Sequence, residues 1–68
     1  MDEARLMQEM ESRGVSIDRM CEDLGMSRSA FYRKRNGTSE FTMGEIQRIV
    51  DVLGLDSPMG IFFSQKVS

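Results

Sequence analysis

The sequence predicts an all-α protein built of five short helices, and three observations support this. Apolar residues recur at three- and four-residue spacing in successive segments, the period of one buried helix face. Gly14, Gly25, Gly37 and Gly54 each follow such a segment, and glycine just past a helix end takes the left-handed conformation that side-chained residues resist. Ser16, Ser27, Thr42 and Asp56 stand at the matching starts, where their side chains can cap free backbone N–H groups.

The first helix is expected from about Asp2 to Arg13, with Leu6, Met7 and Met10 inward and Asp2 and Glu3 favourable at its positive N-terminal end. The second follows Ser16 and sets Ile17, Met20, Cys21 and Leu24 on one face. Gly25-Met26-Ser27 leaves room only for a tight turn. The third starts after Ser27 and ends near Arg35 or Asn36, with Ala30 and Phe31 inward. The fourth has the cleanest signal: Thr42 and Glu45 fit a capping box, and Ile46, Ile49, Val50 and Leu53 form one stripe. Asp56-Ser57-Pro58 offers a cap and an N1 proline for a short fifth helix ending in Ile61-Phe62-Phe63, and Gln65 to Ser68 are expected to fray.

Composition bounds the function. Sixty-eight residues make a single domain, 1–68, too small to enclose a deep metabolite pocket. One cysteine excludes an intramolecular disulfide, and without histidine a four-ligand zinc site is not expected. Cys21 reads as a small buried core residue. No imidazole is present to move protons near neutral pH, so no catalytic role, cofactor or small-molecule ligand is expected. No apolar run approaches a membrane span, and the acidic N-terminus is unlike a signal peptide, so the chain reads as cytoplasmic.

Helix, three-residue glycine turn, helix is the helix-turn-helix unit, here about 16–36, whose second helix enters the DNA major groove. Cys21 is small where the two helices cross, Gly25 turns the chain, Met26 points inward, Ser27 caps and Phe31 returns to the core. With the motif IDRMCEDLGMSRSAFYRKRNG and the segment FTMGEIQRIVDVLGL, the chain resembles the Cro and phage-repressor-like helix-turn-helix family, most closely the short Cro-type proteins of prophages. The resemblance implies a compact five-helix, lambda-repressor-like DNA-binding domain acting as a transcriptional regulator.

Charge agrees with that implication. Residues 1–26 carry three basic and seven acidic side chains, and 38–68 carry two and four. Residues 27–37 carry Arg28, Arg33, Lys34 and Arg35 and no acid. One face is thus cationic in a chain of net charge −2, and distribution, not the total, decides whether DNA is attracted.

Position along the third helix assigns candidate roles. Arg28, Ser29, Tyr32 and Arg33 face the groove as candidates for base contact, and by resemblance Arg28, Ser29 and Arg33 match the family's base-reading positions. An arginine can bind guanine O6 and N7 bidentately, so a guanine is expected in each half-site. Tyr32 could pack on a thymine methyl, bond a phosphate or be a plain exposed aromatic. Ser16, Ser27, Lys34, Arg35, Asn36 and Thr38 are candidates for phosphate contact. Three features depart from the family pattern. Ile17 stands where a phosphate-binding glutamine is common, and Lys34 where an apolar residue is common. Arg35 replaces an acidic residue that pairs with a first-helix arginine, so a pair with Glu9 or Glu11 would be reversed in sign.

Three consecutive large residues cannot all face one core, since each helical step rotates about 100°. Ile61, Phe62 and Phe63 are therefore expected either to close the core or to contribute to a weak homodimer through the 57–68 segment. The functional expectation is a Cro-like repressor that binds a palindromic operator as a dimer. The alternatives are an antirepressor-like protein-interaction module and a DNA-bending or excision factor.

Overall fold

Helices begin where a side chain can stand in for the missing backbone acceptor, and four such starts are used. The computed structural model describes residues 1–63, with α1 at Glu3–Ser12, α2 at Ile17–Leu24, α3 at Arg28–Arg35 and α4 at Met43–Leu53. Asp2 Oδ1 accepts from Arg5 N, Ser16 Oγ from Arg19 N and Ser27 Oγ from Ala30 N, each at 3.0–3.1 Å. Thr42 and Glu45 complete the capping box in both directions. Each cap contributes about 1 kcal/mol relative to alanine.

The turn between α2 and α3 is a Schellman ending. Gly25 sits at φ 68°, its N–H reaches Glu22 O, and Met26 N donates to Cys21 O at 3.0 Å. The same pair of bonds closes α4 through Gly54 N to Asp51 O and Leu55 N to Val50 O. In both endings the residue after glycine is apolar and packs against the core, so the chain leaves each helix pointed inward.

The core forms where α4 crosses α2 and α2 crosses α3. Leu6, Met10, Met20, Phe31 and Ile49 are its fully enclosed large side chains. Cys21 is buried in the same cluster, and burial pushes its thiol pKa up, with Arg28 opposing and Asp18 reinforcing that rise. An aromatic relay runs from Phe31 through Phe41 to Phe62, with edge-on ring contacts at centroid distances of 6.0 and 5.8 Å. Phe41, in the loop ahead of α4, thereby joins the α3 face to the C-terminal segment.

The expected fifth helix does not form. Residues 58–62 make a single turn in which Phe62 N donates to Pro58 O at 2.9 Å and Ile61 N to the same oxygen at 3.3 Å. Ser57 Oγ accepts from Met59 N, spending the local cap on a two-residue turn. One isolated turn with Gly60 inside it lacks the propagation that offsets helix nucleation. The segment is held by tertiary contacts instead: Asp2 N donates to Ile61 O at 2.6 Å, and Ile61 is buried in the core. The fraying expected for residues 65–68 falls outside the described residues.

Candidate nucleic-acid interface

The capped N-termini of α2 and α3 and the outer side of α3 carry the candidate contacts. Ser27 as N-cap starts α3 so that Ala30 and Phe31 turn inward, and Phe31 is completely buried. Helical rotation then leaves Arg28, Ser29 and Arg33 exposed, while Tyr32 is half-buried. Arg33 has no ion-pair partner among the described residues and stands open to solvent.

The other three cations of the cluster are engaged. Arg28 Nε lies 2.7 Å from Asp18 Oδ1 in the first turn of α2, with both side chains largely exposed. Lys34 Nζ donates to both carboxylate oxygens of Glu45, at 2.6 and 2.9 Å, and each side chain is about four-fifths covered. Burial alone would raise the Glu45 carboxyl, but the bonds from Lys34 and from the Thr42 N–H and hydroxyl outweigh it and hold its pKa below the usual carboxylate range.

Arg35 stacks its guanidinium over the Tyr32 ring at 4.6 Å and places Nη1 3.3 Å from Met7 Sδ. Its Nε is 3.3 Å from Glu3 Oε1, close enough for an ion pair but out of line for a hydrogen bond, so this buried nitrogen has no hydrogen-bond partner. The pair between Arg35 and α1 has the reversed sign expected from sequence, but the acid is Glu3 and not Glu9 or Glu11. Glu9 is instead bonded to Arg13, whose Nη1 also caps α4 at Leu53 O, 2.8 Å away. Lys34 and Arg35 are thus built into contacts with α4 and α1, and their placement differs from that of a solvent-facing phosphate ligand.

The remaining polar candidates keep hydrogen-bonding capacity. Ser16 and Ser27 spend an oxygen lone pair on the cap, which leaves each hydroxyl hydrogen free to donate outward. Asn36 Oδ1 accepts from Thr38 N at 3.0 Å, leaving the Asn36 amide group as a donor beside the exposed Thr38 hydroxyl. Ile17 is half-buried against the core, so it supplies no polar contact.

Of the three terminal apolar residues, Ile61 lies in the core and Phe62 is half-buried against Phe41, whereas Phe63 is exposed. Phe62 and Phe63 border a groove shared with Phe41 and Met43. Among the described residues no cluster of His, Cys, Asp and Glu could hold a metal ion, and no helix is long and apolar enough to cross a membrane.

Neither a curated protein nor a solved structure matches the chain. The model of the Cro/C1-type HTH DNA-binding domain does match, over residues 5–58, an interval that takes in most of α1, the whole of α2, α3 and α4, and every candidate contact on α2 and α3. A capped two-helix unit with a left-handed glycine turn and an outward cationic face is the arrangement such a domain needs, and the chain belongs to the Cro/C1-type HTH DNA-binding family.

Proposed function

We propose that this DNA-binding regulator is a sequence-specific repressor that lays α3 in the major groove and occupies a palindromic operator as a dimer. The observation that carries the reading is the exposed row of Arg28, Ser29 and Arg33 on the outer side of α3, flanked by the Ser16 and Ser27 hydroxyls. Arg28 and Arg33 read guanine edges, Ser29 and Tyr32 adjust the fit, and Ser16, Ser27, Asn36 and Thr38 bind phosphate oxygens. Lys34 and Arg35 act mainly by fixing α3, with their charge felt at longer range. Phe63, with Phe62 beside it, supplies the apolar contact of a weak dimer, which places two recognition helices about 34 Å apart.

Selection from a randomised duplex pool, followed by affinity measurements over a range of salt, tests this. A palindromic site is expected, with log K falling against log salt at about −0.9 per phosphate neutralised. Arg33→Ala should relax preference at one position per half-site.

A second reading is favoured by the exposed Met43 and Phe63 at the groove they share with Phe41 and Phe62: a module that binds another regulator. In that case Arg28→Ala and Arg33→Ala leave function intact and changes at Phe62 and Phe63 abolish it. The repressor reading expects the reverse order.

A further inference from the structure

The ion pair between Asp18 and Arg28 has little to do for the fold. Ser16, not Asp18, caps α2, and both members of the pair are open to solvent, with side-chain exposures of 74% and 59%. Exposed pairs of this kind contribute little to stability. An acid on the face that approaches phosphate is also unfavourable for DNA binding by itself. Its position therefore asks for another role.

We propose that Asp18 is a positioning residue that sets the base specificity of Arg28; the proposal rests on the reading that α3 occupies the major groove. Asp18 Oδ1 lies 2.7 Å from Arg28 Nε, and neither Nη1 nor Nη2 makes a hydrogen bond among the described residues. The Nη1 and Nη2 end is the fork that matches guanine O6 and N7. A long arginine left unheld reaches phosphate oxygens as readily as bases, and such contacts carry no sequence information. Asp18 limits that swing in two ways. It restrains the side chain before binding, which lowers the cost of ordering it, and its own charge repels phosphates near the wrong poses. Expulsion of water on docking strengthens the pair where it is needed.

The test compares wild type, Asp18→Ala, Arg28→Ala and the double variant on the selected operator and on operators substituted at single base pairs, with a non-specific duplex as reference. Asp18→Ala is expected to reduce the preference for guanine by about tenfold at the same position that Arg28→Ala flattens. Preference at the Arg33 position should stay unchanged, and non-specific affinity should rise. In the Arg28→Ala background, removing Asp18 should cause no further loss of preference. Asp18→Asn keeps an oxygen beside Nε and should fall between wild type and Asp18→Ala; it carries the same test if Asp18→Ala does not fold. Unchanged preference in a folded Asp18 variant, or an equal change at every position, overturns the role of Asp18 alone. A wild-type protein that selects no sequence overturns the groove reading and this proposal with it.

Discussion

Replacing Glu45 by glutamine removes one negative charge while keeping the side chain's shape and its acceptor for Thr42 N. In the native protein Glu45 accepts from Lys34 Nζ on both oxygens, and its Oε1 accepts from Thr42 N at 2.9 Å. A hydrogen bond to a charged partner contributes about 1.5–3 kcal/mol against about 0.5–1.5 for a neutral one. With about a fifth of each side chain open to water, screening trims the difference to about 1 kcal/mol. At about 4–8 °C per kcal/mol for a domain of this size, Glu45→Gln should lower Tm by about 4–8 °C.

The pH dependence identifies the cause. Glu45 has a depressed pKa in the folded state, so its contribution is fully present above the unfolded carboxylate value of about 4.3 and is lost as pH falls through the folded value. Melting curves by circular dichroism should therefore show the full gap between wild type and Glu45→Gln at pH 7. The gap should close only at acidic pH below the depressed Glu45 value, where both side chains are neutral. A gap of equal size at both pH values, or none at pH 7, would refute an electrostatic role for the pair. The same variant has a functional readout, because it releases Lys34 beside the interface. If Lys34 then reaches a phosphate, the slope of log K against log salt steepens by about 0.9.

Phe31→Ala removes the one fully buried side chain of α3 and the first ring of the relay to Phe41, and should cost about 3–5 kcal/mol in urea unfolding, enough to leave a marginal domain largely unfolded. Gly25→Ala meets no atom within 4 Å, so only the left-handed backbone is penalised; the denaturation midpoint should fall by the equivalent of about 1–2 kcal/mol with an unchanged m-value. Phe63→Lys alters an exposed position and should leave Tm within a few degrees of wild type while reducing cooperativity on a two-half-site operator; unchanged cooperativity would remove Phe63 from the dimer contact.

Features set by residues close in sequence were legible before the structure. Ser16, Ser27 and Thr42 cap the helices expected of them, and Gly25 and Gly54 stop α2 and α4 through bonds that span only a few residues. The fifth helix failed because its local signals, a cap and an N1 proline, were outweighed. Gly60 lies so close to Arg5 that a Cβ there would stand 3.1 Å from its guanidinium, and docking of Ile61 sets the path of the segment. What sequence could not show was the partner of each cation. Lys34 and Glu45 are eleven residues apart and Arg35 and Glu3 are more than thirty apart, so their meeting depends on how α3 crosses α4 and α1. Phe41 was missed for the same reason: an aromatic in a loop carries no periodicity, and only the packed structure places it between Phe31 and Phe62.

These pairings change the meaning of the basic cluster. α3 has eight residues and buries only one of them fully, which is a weak apolar hold for an element that must keep its orientation against DNA. Its cations add what packing lacks. Lys34 meets Glu45 of α4 and Arg35 meets Glu3 of α1, so partly covered ion pairs connect α3 to two of the other helices. Two carboxylates of the acidic remainder, Glu45 and Glu3, therefore help to set α3. By this argument the four positive charges are not four equal DNA ligands. Arg33 is open to solvent, Arg28 lies against Asp18, and Lys34 and Arg35 are held against α4 and α1. A salt slope taken with Arg33→Ala should fall by about 0.9 only if Arg33 spends its charge on phosphate. If Arg33 reads a base instead, its loss should appear mainly as relaxed sequence preference, with the slope nearly unchanged.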